Sequence, residues 1–267
     1  MDIDDYRLDG DDKVKLERWR SGDDGGLVRA EAEAAMPGLL ARMLDLQERL
    51  YAGRTRSLLI VLQGRDAAGK DGTIKHVMGG FNPLGTRVYP FKAPNEVERA
   101  HDFLWRIHQR VPEAGHVTIF NRSHYEDILV PGVRGWLDEG ALARRHEHIR
   151  NFEGLVVDAG VALIKCFLHV GKDEQRDRLQ ARLDDPEKRW KFDPNDLTAR
   201  AEWELYTAAY EGIFRHTATA QAPWYIIPAD RKWFRNYLVA QIVVQTLEGM
   251  KLRYPDPPPG LEHHHIE

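Results

Sequence analysis

One cysteine in 267 residues, Cys166, rules out an internal disulfide and points to a reducing compartment. It lies in the apolar run 161–168, where a small buried hydrophobe is the simplest role. No apolar run approaches the ~20 residues that cross a bilayer. The opening MDIDDYRLDGDD is acidic and lacks the apolar stretch of a secretory signal, so a cytoplasmic protein with no membrane partner is expected. Positive charge is not in excess. The formal net charge of -4, without an aromatic and basic platform, argues against a nucleic-acid partner. A local basic channel is still compatible with it, because binding follows the local field. Internal repeats and long linkers are absent. The tag-like run His263, His264 and His265 carries no metal argument.

What is present is an alternation. Residues 1–30 are polar and Asp/Gly-rich and read as an extended N-terminal arm. A helix over 31–52 sets Leu39, Leu40, Met43, Leu46, Leu50 and Tyr51 along one side. The run 57–62 is short and continuously apolar, as in a strand buried on both faces. A helix from 70 to 78 and a strand at 86–91 follow. Asn95 with Glu98 forms a capping-box pattern opening one helix through 111, and strand 116–120 comes next. A helix at 141–159, a strand at 161–168 and a charged helix at 172–183 continue the alternation. After a proline-containing loop come a helix starting near 195, a strand at 224–227 and a helix over 231–249. This is an α/β pattern: a mostly parallel sheet between two helical layers. We expect one domain over 31–254 with a helical lid near 172–195, and a proline-rich tail at 255–267.

The segment GRDAAGK at 64–70 fits G-x-x-x-x-G-K. Alone it would arise by chance in roughly one chain in twelve of this length. Between a buried strand and a helix it becomes specific, because its backbone N–H groups then converge on one anion. Gly64, Ala67, Ala68, Gly69, Lys70 and Asp71 are the candidate phosphate binders. Asp71 stands where a nucleotide triphosphatase has the Ser or Thr that ligates Mg²⁺. Asp66, inside the loop, is a carboxylate that can replace that hydroxyl, since a carboxylate beside a phosphate is tolerated when a cation sits between them.

Strand 116–120 runs into Asn121, Arg122, Ser123, His124, Tyr125, Glu126 and Asp127. Ligands in such folds lie outside the carboxyl ends of strands. Arg122 suits bidentate phosphate binding, and Glu126 and Asp127 can hold metal or orient an acceptor. The segment 172–191 carries seven basic and six acidic residues. Arg178 and Arg182 are spaced i,i+4 on one face, and Lys188 and Lys191 flank Trp190: the composition of a lid that closes on polyanions. Lys75, Arg144, Arg145, His146 and Arg150 are candidates for a further basic track. Phe81, Asn82, Lys92 and Asn121 are candidates for the nucleotide side.

The stretches GRDAAGKDGTIKHV, FNRSHYEDILV, EQRDRLQARLDDPEKRWKF and APWYIIPADRKWFRNYLVAQIVV, in this order, resemble the type-2 polyphosphate kinases over about 40–250. The resemblance implies a thymidylate-kinase-like three-layer P-loop fold with a helical lid. It implies Mg²⁺- or Mn²⁺-dependent phosphoryl transfer between inorganic polyphosphate and nucleotides. It places Arg182 as the lid arginine on the transferred phosphate, with Lys188 and Lys191 in the phosphate-binding set. Asp66, Lys70, Arg122, Asp127 and Arg182 form the expected catalytic group, and Asp66, Glu126 and Asp127 the expected metal ligands. Asn-Arg-Ser-His-Tyr-Glu-Asp at 121–127 is similar to the subgroup that acts on both AMP and ADP and so reaches ATP. The family tends to form homo-oligomers, so a dimer or tetramer is expected. The competing readings are an ATP-dependent nucleoside-monophosphate kinase and a non-catalytic P-loop module. The missing hydroxyl after Lys70 disfavours the first, and intact Asp66, Lys70 and Arg122 the second.

Overall fold

The computed structural model describes residues 1–10, 13–261 and 264–266. The strand-length apolar runs form β2 (Ser57–Gly64), β4 (Val117–Asn121), β5 (Val161–His169) and β6 (Trp224–Pro228). With β1 (Arg7–Leu8) and β3 (Thr86–Pro90) they make one six-stranded sheet in the order β1-β6-β5-β2-β4-β3. All pairings are parallel except that of β1 with β6. All eight residues of β2 are buried, because alternate side chains serve two cores. Leu58, Ile60 and Leu62 pack beneath the sheet with Met43, Leu46 and Leu50 of α1 (Arg29–Gly53). Leu59 and Val61 pack above it with Ile149, Phe152 and Val156 of the helix Glu139–Asp158. Each such side chain contributes about 1.5–3 kcal/mol relative to exposure.

The other helices are α2 (Lys70–His76), α3 (Glu96–Arg99), α4 (Trp105–His108), α5 (Glu126–Val133), α6 (Glu139–Asp158), α7 (Lys172–Asp184), α8 (Asn195–Ala201), α9 (Trp203–Thr217) and α10 (Lys232–Gly249). α1 and α10 cover the lower face, and α6 and α9 the upper one. The apolar residues of α10 are spent inside the subunit, where Phe234, Leu238 and Ile242 are fully buried. Cys166 is fully buried too, and burial pushes its thiol up to about 12, the property of an inert side chain.

Two expectations are corrected. Residues 1–30 are not a free extended arm: Tyr6, Leu8, Val14 and Leu16 are buried, and β1 extends the sheet. The segment 95–111 is not one helix. The capping box of Asn95 and Glu98 forms, but Asp102 accepts the Leu104 N–H at 2.9 Å and restarts the chain as a second short helix. Val97, which the face of one continuous helix would bury, is 60% exposed. A helix does start at Asn195, and a second follows it after Glu202; α5 is a helix additional to those expected. In the C-terminal tail, residues 262, 263 and 267 lie outside the described residues, as do 11 and 12 of the arm.

Candidate active site

Parallel pairing sets the site. Leu62 of β2 lies beside Asn121 of β4, so the loop after β2 and the turn after β4 emerge side by side at the carboxyl edge of the sheet. The loop needs glycine at two places. Gly64 has φ 153°, with the Leu168 carbonyl 2.8 Å from where a Cβ would stand. Gly69 has φ 108°, and a methyl group there would collide with the Arg235 guanidinium. Ala67 and Arg122 also take left-handed backbone, φ 61° and 63°. Such conformations are stored strain of order 1–3 kcal/mol for a non-glycine residue.

Lys70 is 8% exposed and folds back on the loop, donating to the Gly64 carbonyl at 2.7 Å and the Arg65 carbonyl at 3.2 Å. Burial, with Arg122 nearby, lowers its pKa to about 8. Arg122 donates from Nη2 to Asp66 Oδ1 at 2.5 Å and from Nη1 to Glu126 Oε2 at 3.3 Å. Burial disfavours the Asp66 carboxylate, but Arg122 and Lys70 outweigh it and hold its pKa below the usual range. Gln63 Nε2 donates to Glu126 Oε1 at 3.1 Å. Asp66, Arg122 and Glu126 line one cavity of about 60 Å³ with Gly64, Tyr206 and Tyr210. That is room for a few waters or one phosphate-sized group.

The segment expected to form a lid lies partly against this cavity. Gln175 of α7 donates to the Asp66 carbonyl at 3.0 Å. Arg182 is held by Asp196 Oδ2 at 3.4 Å, and its charge reaches Asp66 only through the field. Burial and then the Asp66 charge raise the Asp196 pKa to about 6. Lys191 Nζ stands 4.0 Å from Asp71 Oδ2, and Asn121 Nδ2 donates to Asp71 Oδ1 at 2.9 Å, so both reach the loop mouth. Lys188 is spent on Asp185 at 2.5 Å, and Lys75 is exposed on the outer side of α2.

Asp127 does not join Asp66. It faces the other side of α5, where Arg106 Nη2 donates to its Oδ2 at 2.9 Å. Burial raises its pKa despite Arg106. The reason is helical: Glu126 and Asp127 are consecutive on α5 and so point about 100° apart. Asp127 lines a separate cavity of about 550 Å³ with Arg99, Phe103, Arg106, Arg144 and Arg145. Phe81 is 5% exposed, inside the lower core. Asn82 caps the 3-10 turn after it, accepting the Leu84 N–H at 3.0 Å. Phe81 is thereby withheld from a ligand, whereas Asn82 is exposed. Lys92 is exposed, and its carbonyl accepts from Arg106 at 2.8 Å.

Sequence reasoning missed three supports. Arg178, read as a possible lid cation, donates to the carbonyls of Ala67 and Ala68 at 3.0 Å each, and to those of Ala229 at 2.6 Å and Asp230 at 2.9 Å. Arg235, 2% exposed, backs Ala68 from α10, and burial lowers its pKa to about 10. Arg65 stacks 3.8 Å from the Trp203 ring. Isolated basic residues carry no signal that distinguishes a ligand contact from a carbonyl cap.

A model of the family described as polyphosphate kinase 2 matches residues 27–255. The chain is 48% identical over 265 residues to an AMP/ADP-polyphosphate phosphotransferase of Meiothermus ruber, covering 98% of this chain and 99% of that one. It is 38% identical to an ADP-polyphosphate phosphotransferase of Rhodopseudomonas palustris, covering 96% and 93%. The crystal structure of polyphosphate kinase 2 from Arthrobacter aurescens superposes with a TM-score of 0.92 at 39% identity, covering 96% and 93%.

Proposed function

The chain belongs to the polyphosphate kinase 2 family, and we propose that it moves a phosphoryl group between inorganic polyphosphate and AMP or ADP, in either direction, at the cradle of Asp66, Lys70 and Arg122. The supporting observation is that Arg122, from the turn after β4, reaches Asp66 inside the phosphate loop. The acceptor is a phosphate oxygen, already anionic at neutral pH, so no general base is required. What the transfer needs is positive charge on the transferred group and an in-line fit. Lys70 exchanges the carbonyls of Gly64 and Arg65 for phosphate oxygens. Arg122 turns from Asp66 and Glu126 to the group in transfer, and Arg182 and Lys191 close from the lid. Lys188 would join them only by leaving Asp185.

Among the described residues no group of three or more acidic, His or Cys side chains forms a self-contained metal site. Mg²⁺ does not require one, since it takes one or two carboxylates and completes its shell with phosphate and water. Asp66 and Glu126 line one cavity and share Arg122, so they fit as that pair; Asp127 does not. Mg²⁺ or Mn²⁺ would neutralise charge on the phosphates. For the acceptor nucleotide, the cavity of about 550 Å³ is of ligand size and adjoins Lys92 through Arg106. Its Arg144 offers a cation, and its Phe103 ring carries the Arg145 guanidinium 4.8 Å from its centroid. Phe81, buried in the lower core, leaves the nucleotide assignment, while Asn82, Lys92 and Asn121 stay. Assembly into a dimer or tetramer is part of the proposal and is read by light scattering.

The test is a product assay with purified protein, Mg²⁺, and AMP or ADP, with polyphosphate as the sole donor and nucleotides resolved by chromatography. ADP and ATP are expected. Phosphorylation of AMP by ATP but not by polyphosphate would favour the monophosphate-kinase reading, and no turnover with any donor a binding module.

A further inference from the structure

Behind the Arg122 turn, on the upper face of the sheet, lies a charged cluster that the transfer chemistry does not use. Lys165, in the middle of β5, is fully buried. Its Nζ donates to Glu153 Oε2 of α6 at 2.5 Å, to the Thr217 carbonyl at the end of α9 at 2.8 Å, and to Tyr125 Oη at 3.2 Å. Tyr125 Oη donates to Glu153 Oε1 at 2.5 Å, and His124 Nε2 lies 3.2 Å from the same oxygen. Ser123, His124, Tyr125, Lys165 and Thr217 are all 0% exposed, and Glu153 is 1%.

A buried ion pair is a poor stabilising device. Desolvation consumes most of its attraction, and apolar residues of equal volume usually serve stability as well or better. What a network of directed bonds does better than apolar packing is fix one geometry, because each donor must meet its own acceptor. This network grips His124 and Tyr125. Both lie between Arg122 and Glu126, the residues that face Asp66, and Arg122 holds a strained left-handed backbone there. The network also grips the end of α9, whose Tyr206 and Tyr210 line the same cavity. It therefore ties the floor of the cradle to its lid-side wall.

We propose that Lys165, Glu153 and Tyr125 are positioning residues that hold Arg122 in register with Asp66. The proposal rests on the placement of Arg122 in the phosphate cradle. A 1 Å misplacement of a positioning group can lower turnover by about a hundredfold. Tyr125→Phe removes only the bridging hydroxyl. It is expected to lower kcat by about ten- to a hundredfold, leaving both KM values within about twofold and the melting temperature nearly unchanged. In an Arg122→Lys background the same change is expected to cost less than about twofold, because its effect passes through Arg122. Glu153→Leu/Lys165→Met, which refills the core without charge but strips Tyr125, His124 and the Thr217 carbonyl of partners, is expected to lower the melting temperature and to lose kcat in the same way at temperatures where it is fully folded.

An undiminished kcat in Tyr125→Phe, or an equal loss in both backgrounds, overturns the proposal. If the double variant does not fold, the Tyr125→Phe result decides. A crystal structure of Tyr125→Phe provides a readout apart from turnover: Arg122 Nη2 withdrawn from Asp66 supports the proposal, and an unmoved Arg122 overturns it. Retained activity in Arg122→Ala would instead refute the assignment of the cradle.

Discussion

In the proposed function the chemistry depends on Asp66. Its neighbours Arg122 and Lys70 hold it ionised, as a cation ligand beside phosphate must be. Asp66→Asn is expected to lower kcat by about 10²–10³-fold, the size of losing one preorganised electrostatic group, and to weaken the dependence on Mg²⁺. A Mg²⁺ titration of kcat checks this. Lys165→Met by itself leaves Glu153 buried without its lysine countercharge, held only by Tyr125 and His124, and is expected to cost about 3–5 kcal/mol in urea unfolding. His146 is 8% exposed, and burial, then His216, lowers its pKa from 6.5 to about 4. The unfolded chain therefore binds the proton first. Stability from this residue is complete above pH 6.5 and is lost as the pH falls toward 4, on the order of 3 kcal/mol in all. His146→Gln should flatten the slope of the urea midpoint over that window by one proton's worth.

The elements differ in how far their sequences decide them. β2, β5 and β6 are apolar on consecutive positions, and only a strand inside a two-layer core uses such a run. The helix at 95–111 fails because its signal was local. The capping box forms, but Asp102 competes for a backbone N–H, and Arg106 is drawn inward by Asp127 and Glu98. α7 was read as a lid of cations, yet its Arg178 is a strut joining α7 to the phosphate loop and to the link between β6 and α10. Arg178→Ala leaves those carbonyls without their charged donor. A loss of about 2–3 kcal/mol in unfolding free energy is expected, with a fall in kcat even at temperatures where the protein is fully folded. Denaturant melts and single-temperature turnover separate the two effects.

At the scale of the whole molecule, net charge misleads. The chain is acidic overall, yet Lys70, Arg122, Arg182 and Lys191 gather at one edge of the sheet. A polyanion bound there releases counterions, so the KM for polyphosphate should rise steeply between about 50 and 200 mM salt, while the melting temperature changes little. A KM indifferent to salt would remove the basic track. The sequence alone determined the α/β class, the phosphate loop at 64–70 and its partner turn at 121–127, because apolar run length and glycine spacing are local facts about the chain. Only the tertiary structure decided which side chains share the cradle. Glu126 and Asp127 are adjacent in the chain and alike in chemistry, yet α5 turns one toward Asp66 and the other into Arg106. The Lys165–Glu153 pair and the Arg178–Ala67 bond join residues 12 and 111 apart in the chain, and no local pattern encodes a contact that exists only once the layers have packed.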